Sequence, residues 1–391
     1  ARYDDHSSNG SRGAVPSRGE LIFHRFDRPT TSNFGMRARC RGAYGAAPWE
    51  PGHLTEKLRV AVIGAGWAGT QRAAAVVAHP RTELALVVDV DEDAGRKLAA
   101  RYDAPSAVDW TKALSETELD ALVVATPHAQ LAEVAVASLE AGHHVLVEAP
   151  MGRNISEAVA ISAAAGKAER VLKLGFNHRY HPALTRAHAY FSEGVIGPII
   201  NLRVRYGNGQ RPGELSRWRE DRELVGGGQL TAHGIHVLDL VHWFVGPPKE
   251  VFSFLQTASW PIKPLEDSAF ALLRFESGAV ASLHTAWTQW SDLFSFEVFG
   301  SQGSISVDGL GHRYGHERLV VARRRTDGGA PYTETTQFDD EDISWSAEWA
   351  EFVAAVEDDE PYMGSPQEGI MVMNMLDGLY RSAEAGQLIT M

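Results

Sequence analysis

From Lys57 onward, short apolar runs alternate with stretches whose small apolar residues recur at helical spacing. "LRVAVI", "ELALVVDV", "LDALVVATP" and "HHVLVEAP" have the length and branched content of buried strands. "GWAGTQRAAAVVA", "EDAGRKLAARY", "AQLAEVAVASLEAG" and "ISEAVAISAAAGKAER" follow them as helices, and "VLKLGFN" reads as one more strand. Repeated strand–helix units predict an α/β domain over residues 56–177, a parallel sheet with helices on both faces.

After Asn177 the texture changes. One helical stretch, "HPALTRAHAYFSEG", precedes a series of runs such as "IINLRVRYG", "EVFSFLQTAS", "SAFALLRFESG", "AVASLHTAW", "FSFEVFGSQG", "SISVDG" and "RLVVARRR", separated by Gly, Asp and Ser turn signals. These predict a second, α+β domain over 178–391 with a large, mostly antiparallel sheet. Two amphipathic helices, "SWSAEWAEFVAAVED" and "QEGIMVMNMLDGLYRSAEAG", pack on that assembly. Residues 1–55 are rich in Arg, Gly, Ser and Pro without a sustained period and read as an arm or tail.

Composition narrows the function classes. The 391 residues carry a formal charge of −13, which argues against an extended nucleic-acid face or an anionic membrane partner. A single cysteine, Cys40, cannot close an internal disulfide or build a cysteine zinc site, so a reducing cytoplasm is the expected compartment. No apolar stretch is long enough to span a bilayer. The 16 histidines follow no metal-ligand spacing, and no metal site is expected.

"VIGAGWAG" sets Gly64, Gly66 and Gly69 in a G-x-G-x-x-G pattern, with Trp67 and Ala68 between, where a strand turns into a helix. Such a turn lets a dinucleotide pyrophosphate approach the backbone at a helix N-terminus. Asp89 closes the second strand near the expected spacing of about 20 residues for a carboxylate on the adenosine ribose, which favours NAD over NADP. Thr126, Pro127 and His128 end the third strand at the carboxyl edge, where open α/β sheets bind ligands.

Taken in order and spacing, "VAVIGAGWAG", "VVATP", "EAGHHVLVEAPMGRNISEA", "GFNHRYHPAL" and "GGGQLTAHGIHVLDLVHWFVG" resemble the motifs of the Gfo/Idh/MocA family, the glucose-fructose oxidoreductase and inositol dehydrogenase superfamily. "RYGNGQRPGE", "WRED" and "LHTAWTQWSDLFSFEVFGSQGSISVDGLG" resemble its sugar and nucleotide-sugar branch, which includes antibiotic-pathway enzymes. The resemblance implies a Rossmann domain followed by an open-faced sheet domain, and a sugar held between that sheet and the nicotinamide. It also implies a homodimer or homotetramer formed through the second sheet.

The chemistry it implies is hydride transfer at a secondary alcohol or ketone, which needs an acid or base for the hydroxyl proton. The family lysine of the Glu-Lys-Pro strand end falls on Ala149, and the aspartate of its Asp-x-x-x-His pair falls on Ala232, while the histidine is kept as His236. Ala129 and Leu131 stand where relatives usually carry histidines. Three readings compete: a sugar oxidoreductase whose proton transfer relies on His236, His233 or His181; a redox-neutral epimerase, lyase or glycosidase using bound NAD; and a silenced variant that binds cofactor and sugar.

Other residues carry two readings each. Glu148 binds the nicotinamide ribose, as the resemblance implies, or caps its strand. Asn177, Arg179 and Tyr180 open the second domain at the cleft, although Tyr180 could equally be core. Arg211, Trp218 and Arg219 could hold a sugar or diphosphate, or face solvent. Trp287 and Trp290 stack on a sugar, or pack in a core or interface.

Overall fold

The computed structural model describes residues 57–115, 118–209, 217–338 and 341–391. The arm expected over 1–55, Cys40 and Arg211 lie outside the described residues. Among the described residues the strands form two sheets.

The first sheet contains β1 (Leu58–Ile63), β2 (Thr82–Val88), β3 (Ser106–Ala107), β4 (Ala121–Val124), β5 (His144–Glu148) and β6 (Leu172–Gly175). Its order is β3-β2-β1-β4-β5-β6 and every pairing is parallel. The order reverses beside β1, which places the switch point, and with it the ligand crevice, at the carboxyl ends of β1 and β4. Val60, Val62, Leu122, Val123, Val145 and Leu146 are fully buried, as continuous apolar runs between two helix layers require. The connecting helices are α1 (Trp67–Ala78), α2 (Glu92–Ala100), α3 (Thr111–Ser115), α4 (His128–Glu140) and α5 (Ile155–Ala168).

A short 3₁₀ turn, Asn177–Tyr180, leads into α6 (Pro182–Ser192), and a nine-stranded sheet follows. It is built from β7 (Ile199–Gly209), β8 (Glu250–Gln256), β9 (Ser268–Arg274), β10 (Val280–Ala286), β11 (Thr288–Gly300), β12 (Gly303–Asp308), β13 (Glu317–Arg323), β14 (Tyr332–Phe338) and β15 (Ile389–Thr390). Only the pair of β7 with β10 is parallel. One face is covered by helices α6 and α8 (Ile235–Val245), with the short helix α7 (Arg222–Val225) before the latter. The other face carries the exposed side chains of Phe254, Phe270 and Leu272.

The two C-terminal helices go to different places. In α10 (Pro366–Ala385), whose start is set by a Ser365–Glu368 capping box, Val372, Met375 and Leu379 join the larger core that runs between the two halves. In α9 (Ser344–Glu357), Trp345, Trp349, Phe352 and Val353 pack instead with Val60, Val62, Val76, Leu84 and Val87 of the nucleotide half. The outer layer of the first sheet is thus completed by a helix that follows the second sheet in sequence.

Polar groups near this junction are tightly matched. Arg179, almost fully buried, donates from Nε (2.9 Å) and Nη2 (2.6 Å) to the two oxygens of Asp239, and from Nη1 to Glu368. Lys173 donates to the Tyr180 hydroxyl at 2.8 Å, and both groups also bond Glu351.

Trp349 is fully buried and its Nε1–H donates to Thr82 Oγ1 at 3.3 Å. Trp349→Ala is expected to lower stability by about 3–5 kcal/mol in chemical denaturation. Trp67→Ala, at a largely exposed position, should change it by about 0.5 kcal/mol or less.

Candidate active site

The glycine turn between β1 and α1 has the shape its spacing predicts. Gly64 takes φ +103°, and a Cβ there would stand 2.4 Å from the Ala125 carbonyl oxygen, so the turn can lie against β4 only as glycine. Around Gly66 a Cβ would meet nothing within 4 Å, which leaves open space above the first turn of α1. Asp89 stands beside this turn, its Oδ2 accepting the Ala65 N–H at 2.6 Å. A pyrophosphate fits the open turn and an adenosine ribose fits the carboxylate, so these residues suit NAD. Trp67, the first residue of α1, is 64% exposed and stands edge-on to Trp345 at 5.3 Å. Ala68 packs on the core of the nucleotide half.

Across the crevice, Thr126 Oγ1 is buried without a hydrogen-bond partner among the described residues. Pro127 caps α4, and His128 opens it with its Nδ1–H donating to the Val225 carbonyl at 2.8 Å. Burial lowers the His128 pKa to about 4, so this ring is neutral with Nε2 as its free acceptor. Glu148 ends β5 and accepts from the Nε of Arg72, a fully buried residue of α1 that also donates from Nη1 to Glu348 of α9 at 2.6 Å. Burial opposes the charge of Arg72, but the two carboxylates outweigh it and its pKa is raised.

The triple glycine is followed by a π-helical turn, Leu230–Gly234, which passes into α8. His233 and His236, three residues apart, lie on one face, and one aromatic cluster holds both. His236 stacks on His178 with ring centres 4.2 Å apart at 11° and meets the edge of Phe176 at 6.4 Å. Tyr206 of β7 lies 5.5 Å from His178 and 4.9 Å from His233.

Hydrogen bonding sorts the four imidazoles. His178 donates from Nδ1 to Asn177 Oδ1 (3.1 Å) and accepts the Tyr206 hydroxyl at Nε2 (3.2 Å). His181 donates from Nδ1 to Glu317 Oε1 at 2.7 Å. His233 accepts at Nδ1 from the Gln229 side-chain N–H at 2.9 Å, which leaves its proton on Nε2. His236 Nδ1 is buried with no partner among the described residues. Burial, reinforced by neighbouring positive charge, brings His233 down to about 3 and His236 down to about 4, and holds His178 well below its ordinary value.

The two alanines sit in apolar surroundings. Ala149 packs on the larger core, and Ala232 packs with Trp218, Trp260 and Trp287 around Val225, Ile262 and Leu265. Trp218 meets His128 edge-on at 5.4 Å and carries the Arg219 guanidinium 4.3 Å above its ring, and Trp287 meets His233 edge-on at 6.3 Å. Trp290, 68% exposed, adopts φ +57°, an uncommon backbone state for a bulky residue.

The sequence-predicted residues therefore divide. Gly64, Gly66, Asp89, Thr126 and His128 converge on one crevice, Glu148 is held at the end of β5, and His233 and His236 meet in the imidazole cluster. Arg179 and Tyr180 do not present free polar groups: Arg179 is occupied by Asp239 and Glu368, and Tyr180 by Lys173 and Glu351. Asn177 bridges Ser344 and His178 from a buried position. Arg72, His178 and Tyr206 belong to the site although sequence reasoning did not select them. A signal for Arg72 was available, since an arginine on the buried face of a helix needs partners.

Comparison with known proteins agrees with this geometry. Residues 58–176 match the model of the oxidoreductase family with an NAD-binding Rossmann fold, and residues 184–306 match the GFO/IDH/MocA C-terminal domain. The D-glucoside 3-dehydrogenase of Escherichia coli is 27% identical over 349 residues, covering 84% of this chain and 96% of that one. The levoglucosan dehydrogenase of Pseudarthrobacter phenanthrenivorans is 26% identical over 287 residues, covering 64% and 73%. The solved structure of GenD2 from gentamicin A biosynthesis, in complex with NAD, superimposes with a TM-score of 0.77 at 27% identity, covering 89% of this chain and 99% of that one. A parallel sheet with a glycine turn at its switch point, a nine-stranded sheet beside it and matches to both family domains make this chain a member of the GFO/IDH/MocA oxidoreductase family.

Proposed function

We propose that the protein oxidises a secondary hydroxyl of a sugar or sugar derivative, with His236 as the base that takes the hydroxyl proton. The observation that carries this reading is the state of His236: a partly exposed neutral imidazole that, among the described residues, forms no hydrogen bond, in a cluster whose other rings are tied down. NAD, when bound, supplies the hydride acceptor. A buried imidazole with its pKa near 4 is a free base at neutral pH, and stacking on His178 fixes its plane. His178 is in turn fixed by Asn177 and Tyr206, and His233 offers Nε2–H as a hydrogen-bond donor. A ketone reductase would need the protonated imidazole, which is scarce above pH 6, so alcohol oxidation is the direction this state serves.

The sugar class is supported by the relatives named above, dehydrogenases of D-glucosides and levoglucosan. The carboxylate of Asp89 beside the glycine turn supports NAD over NADP, because it would repel a 2′-phosphate. The surroundings of Ala232 favour an active site built around imidazole over a silenced one: three tryptophans pack there, and a carboxylate among them would lose its hydration. Exposed Phe254, Phe270 and Leu272 support self-association through the second sheet.

The deciding experiment is NADH formation from NAD across a panel of sugars and glycosides. Growth of NADH absorbance supports the reading, and product formed without net NADH supports a redox-neutral enzyme instead. His236→Ala is expected to lower kcat about 10²–10⁴-fold with folding intact. Protonation inactivates a base, so the acidic limb of kcat/KM should fall near pH 4, the value to which burial lowers His236, and not at an ordinary histidine value of about 6.5. Ala232→Asp should raise neither kcat nor stability; an active gain there would point to a silenced ancestor.

A further inference from the structure

Arg72 lies in the second turn of α1 with no exposed surface. Two of its nitrogens are matched: Nε by Glu148 and Nη1 by Glu348. The third, Nη2, is buried without a partner among the described residues. It is admitted only because β6 ends in glycine: a Cβ on Gly175 would stand 2.8 Å from Nη2 and 2.8 Å from Glu148 Oε2. The indole of Trp345 covers the guanidinium at 4.5 Å, and the next residue after Gly175, Phe176, brings its ring edge to His236.

We infer that Arg72 is the positioning residue of this cleft, fixing the Glu148 carboxylate at the end of β5, where it would meet bound NAD, and presenting to His236 the permanent positive charge that Ala149 does not. The inference rests on the proposed role of His236 and deepens it. Glu148 immediately precedes Ala149, so the cation enters the same strand end from α1 instead of from β5. A guanidinium cannot lose its proton at physiological pH, so it serves as fixed charge and not as proton donor. Fixed positive charge beside an imidazole keeps that ring deprotonated and favours the negative oxygen that develops as a hydroxyl loses its proton.

The titratable and charged groups around His236 are His178, stacked on it, His181, edge-on to His178 at 5.8 Å, His233 of the π-helical turn, and Arg72, which packs on Gly175 beside Phe176. After burial, Arg72 is the largest influence lowering the His236 pKa, ahead of His181. Glu148 and Glu348 face the guanidinium, and burial raises the Glu348 pKa against the pull of Arg72.

Two variants test this. Arg72→Met/Glu348→Met removes the cation together with its fully buried partner, which leaves only the partly exposed Glu148 without its donor. Arg72→Lys keeps a charge but cannot bridge both carboxylates. Folding is followed by circular dichroism, His236 protonation by NMR with the ring signal assigned through His236→Ala, and NAD affinity by quenching of tryptophan emission. In the double variant the His236 midpoint should rise by about one pH unit or more, and the acidic limb of kcat/KM should move up with it. NAD affinity should fall about tenfold in both variants as Glu148 loses its anchored donor, while Arg72→Lys leaves the His236 midpoint near the parent value. A folded double variant with parental midpoint and NAD affinity overturns the assignment, as does Arg72→Lys with parental NAD affinity should the double variant not fold. Neither the titration nor NAD binding requires turnover. A parent that oxidises no sugar therefore counts against the proposed function without deciding the role of Arg72.

Discussion

A guanidinium with no access to water must be neutralised where it stands, and Arg72 imposes that condition on three segments at once. Its carboxylate partners come from the end of β5 and from α9, so the helix that begins at the glycine turn, the strand that ends at the cleft and a helix from far down the chain are fixed relative to one another. The rest of the crevice inherits this arrangement. Trp345 closes over the guanidinium and meets Trp67 at the entry to the turn, while Gly175 gives way to let the charged pair lie flat against β6. A second buried network, Arg179 with Asp239 and Glu368, does the same for α8 and α10, so both halves of the cleft are joined by charges that cannot leave their partners.

Within that frame the proposed base stands out by what its neighbours are already doing. Four imidazoles lie close enough to influence one another, yet hydrogen bonding from Asn177, Tyr206, Glu317 and Gln229 commits three of them. The crowding is itself chemically useful. Neutral rings packed against one another form an environment where a further proton is costly, and tryptophans around Ala232 add an apolar wall. Positions 149 and 232 carry no charge, and both alanines pack against apolar neighbours.

Much of the fold was legible because hydrophobic period and turn chemistry agreed. The strands of the nucleotide half other than the two-residue β3, and its main helices, with the glycine turn and closing carboxylate, announce themselves in apolar runs and punctuation. β14 did not, because "YTETTQF" is a sheet-edge strand with no buried face and so carries no apolar alternation. The π-helical turn was equally silent, since a widened turn leaves no mark in the spacing of "LTAHG". Arg179 looked like a substrate ligand because a sequence shows the charge of an arginine and not the partners that occupy it. Arg72 was overlooked for the converse reason: one cation in an alanine-rich helix resembles a solvated residue until the helix is seen packed on both sides.

The position of α9 has a consequence for how the molecule comes into being. The outer layer of the first sheet needs Trp349, Phe352 and Val353, and the charge of Arg72 needs Glu348. All four emerge from the ribosome after the whole second sheet. Until then the nascent nucleotide half exposes an apolar flank and holds an arginine only partly neutralised. Of the two described halves, the one translated earlier can therefore be sealed only after the later one has emerged, and its completion also fixes the linkage between them.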